Sequence, residues 1–261
     1  MMSTTQPFDI FPTWSIFFLT LLFLLLAYEA GLHLGMFIQQ RWPDKYEAGV
    51  GTKVGAALTL LALLLAFVIN LSISIFNERR VMVVSEANAI GTTYLRAGYL
   101  SEPYKGESRQ LLRDYLDLRL EIIDPAKAGA AITRSEGIQY KLWNMAEELA
   151  RDNPSPITAL YISSLNEMID LHTERLNAEM DYRVPSAISL GLLGVSVMTM
   201  FLLGINDGYH ERNNLLALIV LVFILASLFL LFVELNRSNV GLISVPLKPL
   251  IDLQQTLNLM P

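Results

Sequence analysis

The chain has 261 residues, of which 53% are hydrophobic and 17% are charged, a composition that indicates an integral membrane protein with one polar part. The formal net charge of -6 argues against nucleic acid as a partner. Cysteine is absent, which excludes disulfides and cysteine-based metal sites.

The first apolar run, at about residues 13–38, is long enough to cross a bilayer as a helix. No Lys or Arg precedes it and no cleavage site follows it, so we interpret it as a retained helix. Glu29 and His33 lie one turn apart inside it. One interpretation is a mutually hydrogen-bonded pair, with Gly31 and Gly35 allowing close helix contact. The other is a proton-relay or ligand site.

A second apolar run covers residues 54–76, with no proline in it. At Asn77 the composition becomes that of an amphipathic soluble helix, and no turn signal marks the change. The sequence therefore predicts one continuous helix over about residues 53–100, which at 1.5 Å per residue is ~70 Å long.

Five residues of this helix recur at spacings of three and four and so share one face: Leu63, Phe67, Asn70, Ser74 and Asn77. Polar side chains are unfavourable against hydrocarbon, so we expect this face to point at protein or water. It either forms hydrogen bonds inside one helical bundle or lines a pore, with Leu63 and Phe67 as an apolar constriction.

The second half of the same helix carries an unusual number of polar groups among small residues: Glu78, Arg79, Arg80, Glu86, Asn88, Thr92 and Arg96. Glu86, Thr93 and Arg96 are predicted to lie within reach of one another. The set forms either a buried polar network between helices or a charged ring along a central vestibule.

Three further amphipathic helices are predicted at about residues 107–123, at 134–151 and from 157 onward, with Tyr115 in the apolar stripe of the first and His172 in that of the last. Asp124-Pro125 and Gly129 are interpreted as the break between the first two. Amphipathic helices with short connections predict an antiparallel bundle.

The last of these helices is predicted to continue through residues 182–185 into a third span at about 186–205, with Pro185 kinking or restarting it. Asn206-Asp207-Gly208 is interpreted as a tight turn, followed by a fourth span at about 215–233. The tail is predicted to contain a short amphipathic helix that lies against the bundle.

The predicted fold class is an all-α integral membrane protein with four transmembrane helices and a helical cytoplasmic bundle. Residues 1–76 are predicted to form the first transmembrane pair, with spans at about 13–38 and 54–76. Residues 77–183 are predicted to form the cytoplasmic bundle, continuous with spans 2 and 3. Residues 184–235 are predicted to form the second transmembrane pair, and residues 236–261 the cytoplasmic tail.

Four spans place the bundle and both termini on one side of the membrane. Near the span ends, five basic residues lie on that side: Arg79, Arg80, Arg183, Arg237 and Lys248. Four lie on the other side: Arg41, Lys45, Lys53 and Arg212. This difference favours a multi-pass protein of the inner (plasma) membrane with cytoplasmic termini.

Catalytic and cofactor motifs such as HExxH, GxSxG, the P-loop and the dinucleotide fingerprint are absent. His33, His172 and His210 lie in separate elements and give no metal-ligand spacing. Acid–base pairs of the bundle, such as Glu174 with Arg175, are interpreted as a solvated helix surface. The sequence predicts no enzyme, no metal site and no cofactor.

The segment SEANAIGTTYLRAGYL at Ser85–Leu100, preceded by NERR at Asn77–Arg80, resembles the bacterial bestrophin-like family of unknown function. The ending LNRSNVGLISVPLKPL at Leu235–Leu250 resembles it too, and the likeness covers about residues 50–255 in the same order. The resemblance implies the fold of bestrophins, homopentamers of four-span subunits whose second span lines a pore with an apolar neck.

Two features of bestrophins proper are not matched: the aromatic-rich neck with its Arg-Trp cluster, and the acidic calcium clasp of animal members. Calcium gating is therefore not implied. Our functional hypothesis is that the chain forms a homo-oligomer, expected to be a pentamer, which conducts inorganic ions across the lipid bilayer. The alternatives are a non-conducting membrane scaffold or sensor, and a transporter with Glu29 and His33 as its ionisable site.

Overall fold

The computed structural model describes residues 7–42, 50–122, 124–180, 183–210, 214–237 and 243–260. Within these ranges the chain is helical and has no strand. A 3-10 turn at Pro7–Ile10 precedes the helices α1 (Thr13–Arg41), α2 (Val50–Ala97), α3 (Tyr104–Glu121), α4 (Pro125–Asp152), α5 (Pro156–Met180), α6 (Ser186–His210), α7 (Leu215–Asn236) and α8 (Lys248–Leu259). Among these, α1, α2, α6 and α7 are long and apolar enough to cross a membrane. The predicted all-α class with four membrane-spanning helices is confirmed.

The chain divides into two compact units. The span unit comprises Met1–Phe76 with Arg183–Ser244, and the bundle unit comprises Asn77–Tyr182 with Val245–Pro261. Helix α2 belongs to both, since it runs without a break from Val50 to Ala97. The predicted continuous helix is therefore present, as expected for a segment without proline.

Two pairs of glycines bring α1 and α6 together in the span unit. A Cβ atom added to Gly31 would overlap the carbonyl oxygen of Phe201, and one added to Gly204 would overlap that of Tyr28. Small residues spaced in this way let two helix backbones approach closely, which favours packing where no hydrophobic driving force exists between helices. The predicted role of Gly31 and Gly35 in close helix contact is confirmed.

The prediction of a tight turn at Asn206-Asp207-Gly208 is wrong, because α6 continues to His210. Gly208 serves helix packing, since an added Cβ there would overlap the carbonyl oxygen of Leu32. The Asp207 carboxylate accepts a hydrogen bond of 3.1 Å from the Tyr28 hydroxyl. Turn-forming residues are thus accommodated inside a helix by their contacts with α1.

The segment before α6 is not helical at residues 183–185, so the predicted continuation of α5 into α6 is wrong there; residues 181 and 182 lie outside the described part. Asn236 holds this segment: the Val184 N–H donates to its Oδ1 at 2.7 Å, and its Nδ2 donates to the Val184 carbonyl at 3.3 Å. The helix restarts after Pro185, the alternative that the sequence left open.

Arg237, at the end of α7, is 4% exposed and fixes the start of the chain. Its Nη2 donates to the carbonyl oxygen of Phe8 and, at 2.5 Å, to that of Phe11. Its Nη1 lies 3.3 Å from the Glu234 carboxylate. A buried guanidinium thus finds acceptors both on its own helix and on the N-terminal segment.

In the bundle unit, α3 packs on α4, α4 on α5, and α8 on α3. Helix α4 begins at Pro125, so Asp124-Pro125 is a helix start and Gly129 lies inside the helix. Asp124 caps it by accepting a 3.0 Å hydrogen bond from the Ala126 N–H. The tail helix α8 buries Leu250 and Leu257, which confirms its predicted packing against the bundle.

We predict that Gly204→Ala destabilises the span unit by about 1–3 kcal/mol, because the added methyl group has no space beside α1. The measurement is the apparent melting temperature of the detergent-solubilised protein, which should fall. Gly194→Ala is the matched control on the same helix, since an added Cβ there meets nothing within 4 Å. Equal melting temperatures for the two variants would contradict the role of the glycine contact.

Candidate functional site

The five residues predicted to share a face of α2 are all exposed in the chain. The two large apolar ones are the most informative, because Leu63 is 52% and Phe67 63% exposed. Asn70 and Ser74 follow on the same side, and Asn77 lies one turn further along the helix. We call these five residues the α2 strip.

The opposite side of α2 is buried in the span unit. Leu61 is 1% and Leu65 3% exposed, and both belong to the apolar core of that unit. Ser72 is also buried and satisfies its hydroxyl locally by donating to the Val68 carbonyl at 3.0 Å. Helix α2 is therefore attached by one side, and the α2 strip is on the free side.

Hydrogen bonding inside the chain's own bundle was one interpretation of the polar strip residues. The exposure of Asn70, Ser74 and Asn77 contradicts it for a single chain. Exposed amide and hydroxyl groups on an apolar span require water or another protein surface beside them.

The polar residues further along α2 fall into different environments. Glu78, Arg80 and Asn88 are exposed, Thr92 and Arg96 are half-buried, and Arg79 and Glu86 are buried. They therefore do not form one charged surface.

Two arginines of this group bind the neighbouring helix α5. Arg79 Nε donates to the Ala178 carbonyl at 3.3 Å, and Arg96 Nη1 donates to the Leu160 carbonyl at 2.8 Å. Glu86, Thr93 and Arg96 were predicted to lie within reach of one another, and Thr93 donates instead to the carbonyls of Ala89 and Ser164. These contacts hold the second half of α2 against α5.

Glu86 lies at the centre of a buried ionic cluster. Its Oε1 accepts from Arg119 Nε at 2.5 Å, and its Oε2 accepts from Arg175 Nη1. The side chains of Glu86 and Arg119 are fully buried and that of Arg175 is 4% exposed. One carboxylate thereby joins α2 to both α3 and α5.

Neither arginine of this cluster was predicted to be buried, and the prediction that Arg175 lies on the solvated surface is wrong. The spacing carried a signal for each. Arg119 lies four residues after Tyr115, and Arg175 three after His172, and both preceding residues are in predicted apolar stripes. A charged residue on a buried helix face indicates a partner on another helix.

A hydrogen-bonded group of neutral side chains adjoins the cluster. The Tyr115 hydroxyl lies 3.0 Å from His172 Nδ1 and accepts from Gln139 Nε2 at 3.3 Å. Burial lowers the pKa of His172 to about 4, and the nearby Arg119 charge acts in the same direction. His172 is therefore neutral at pH 7.

Glu29 and His33 are both exposed on α1, and no hydrogen bond joins them in the described part of the chain. The interpretation of a mutually bonded pair is therefore wrong. No group of three His, Cys, Asp or Glu side chains that could hold a metal occurs among the described residues.

The chain is similar to known proteins over most of its length. A sequence profile of the bestrophin-like domain matches residues 21–250. The comparison with curated proteins gives no match.

Solved structures of similar fold include a crystal structure of a bacterial bestrophin homologue from Klebsiella pneumoniae. It has a TM-score of 0.68 at 16% identity, and the match covers 93% of this chain and 96% of that chain. A variant of the same homologue gives 0.66 at 16% identity, with 94% and 97% covered. A crystal structure described as a membrane protein gives 0.65 at 18% identity, with 90% and 95% covered.

At 16–18% identity, these structural similarities establish the fold alone. The profile match, in contrast, covers far more than half of the sequence. The chain therefore belongs to the bestrophin-like family and has the bestrophin fold, which is known from ion channels.

Proposed function

We propose that this protein assembles as a homopentamer around α2 and conducts inorganic ions passively through a central pore. The observation that carries the proposal is the α2 strip, an exposed line of two large apolar and three polar side chains on an otherwise anchored span. The resemblance to bestrophins, in which the second span lines the pore of a pentamer, supports the same assignment.

The proposed constriction consists of Leu63 and Phe67, one turn apart. Repeated around a central axis, they would form an apolar ring that gates by excluding water. Asn70, Ser74 and Asn77 would continue the pore as a polar lining that replaces part of an ion's hydration. All five side chains are exposed in the single chain, so they are available to water and to neighbouring subunits.

Ion selectivity does not follow from this lining, because it carries no fixed charge. The exposed Glu78 and Arg80 just beyond Asn77 offer charges of both signs. Arg79 does not contribute there, since it is buried and donates to a carbonyl of α5.

The same proposal places the protein in the inner (plasma) membrane as a multi-pass protein. Residues 77–183, the tail 236–261 and both termini would then be cytoplasmic. The small excess of basic residues near the span ends on that side supports this orientation.

We expect native mass spectrometry of the detergent-solubilised protein to give a complex of five copies of the 29.3 kDa chain. Five copies would place five α2 strips around one axis. A clean monomer or dimer would leave no shared central pore and would favour a non-conducting scaffold or sensor.

Cysteine accessibility tests whether the strip lines water. Single variants Phe67→Cys, Asn70→Cys and Ser74→Cys should react with a charged, membrane-impermeant thiol reagent, because thiolates form only where water reaches. The chain has no native cysteine to interfere. Phe23→Cys is the matched control on another span, α1, where the side chain is also exposed, at 50%, and should stay unreactive in the membrane. Protection of all four positions would contradict a water-filled pore.

Phe67→Ala should raise the single-channel conductance or relax gating in reconstituted bilayers, since loss of the ring widens and wets the constriction. Phe23→Ala, which shortens an exposed aromatic side chain of α1, away from the strip, should leave the currents unchanged. Currents of Phe67→Ala equal to those of the unaltered protein would remove Phe67 from the constriction.

A further inference from the structure

The guanidinium of Arg119 is fully buried, yet most of its hydrogen-bonding capacity is unused by the described part of the protein. Its Nε donates to Glu86 at 2.5 Å. Its Nη1 and Nη2 are both inaccessible and have no hydrogen-bond partner among the described residues. Arginine stays charged in proteins and carries five N–H donors, so four of them are unmatched here.

A second donor is unmatched on the adjacent helix. Gln139 Nε2 donates to the Tyr115 hydroxyl, which leaves the hydroxyl proton to be donated to His172 Nδ1. Neutral His172 then carries its proton on Nε2, a tautomer assigned from the bonding pattern. Nε2 is also buried and without an acceptor among the described residues.

The number and the charge of these unmatched donors indicate what kind of ligand would bind them. Buried polar groups are satisfied in nearly all proteins, and an unmatched charged donor is especially unfavourable. A water molecule could accept two of these hydrogen bonds but would bring two protons that need acceptors of their own. An anion accepts several N–H bonds at once, brings no donor and offsets positive charge.

We propose that the interior of the bundle binds a small inorganic anion of the size and charge of chloride, with the Arg119 Nη1 and Nη2 groups as its main donors. We assign His172 Nε2 to the same anion as a further donor, because it is also buried and unmatched among the described residues. The site belongs to α3 and α5 of the bundle unit and shares no residue with the α2 strip. It is therefore independent of the proposed pore, and a non-conducting protein would still contain it.

The first test compares melting temperatures of the full-length, detergent-solubilised protein in sodium chloride and in sodium gluconate at equal ionic strength. Gluconate is too large for an enclosed site. Because a ligand that binds only the folded state stabilises it, chloride should raise the melting temperature by about 5 °C. Equal melting temperatures in the two salts would overturn the proposal.

The variant Arg119→Lys keeps the charge but loses the planar fork of donors, so it should lose the chloride dependence. Arg134→Lys is the matched control, since the Arg134 side chain is 66% exposed in the same unit, and it should retain the dependence. A chloride effect of unchanged size in Arg119→Lys would assign it to the protein surface and overturn the proposal.

A second measurement tests whether an anion binds at Arg119 even if Arg119→Lys does not fold. Crystals of the unaltered protein grown in bromide should show an anomalous peak within hydrogen-bond distance of Arg119 Nη1 or Nη2. Bromide peaks confined to the surface would show that Arg119 is satisfied without an ion.

Discussion

One uninterrupted helix in two environments is the constraint on which the rest of this structure depends. Helix α2 has no proline between Val50 and Ala97, so it cannot turn where its composition changes at Asn77. Its apolar half is anchored through Leu61 and Leu65, and its polar half through buried side chains such as Ile90 and Tyr94. Because an anchored helix buries only one side, the opposite side is left for water, lipid or another subunit.

Buried charge adds to the apolar packing that holds the polar half of α2. Glu86 binds Arg119 and Arg175, and Arg79 donates to a carbonyl of α5. Taking such charges out of water is costly, and only specific partners offset the cost. A hydrophobic contact tolerates sliding or rotation of a helix, whereas these bonds exist in one arrangement. The ionic cluster therefore fixes the rotation and the register of α2 within the bundle.

The fold could largely be predicted from local pattern, and the errors have a common cause. The absence of proline predicted that α2 is continuous, and the lengths of the apolar runs predicted the four spans. Asn206-Asp207-Gly208 has turn composition, but Gly208 is required by the approach of α1, which only the tertiary structure shows. Arg175 has the composition of a surface residue, but its position relative to His172 places it on a buried face. The spacing of the α2 strip predicted that its members share a side, but the spacing does not determine what covers that side.

The bonds of Arg237 have a consequence for how the chain is made. Its acceptors, the carbonyl oxygens of Phe8 and Phe11, are the first part of the described chain to leave the ribosome, and Arg237 is among the last. The partners in the α1–α6 glycine contact are likewise far apart in the chain, with helices α2 to α5 between them. Contacts between distant positions form only after the intervening chain exists. The first span is therefore inserted before its partners exist. Its glycine face and the N-terminal segment stay without these contacts until the last two spans have been inserted.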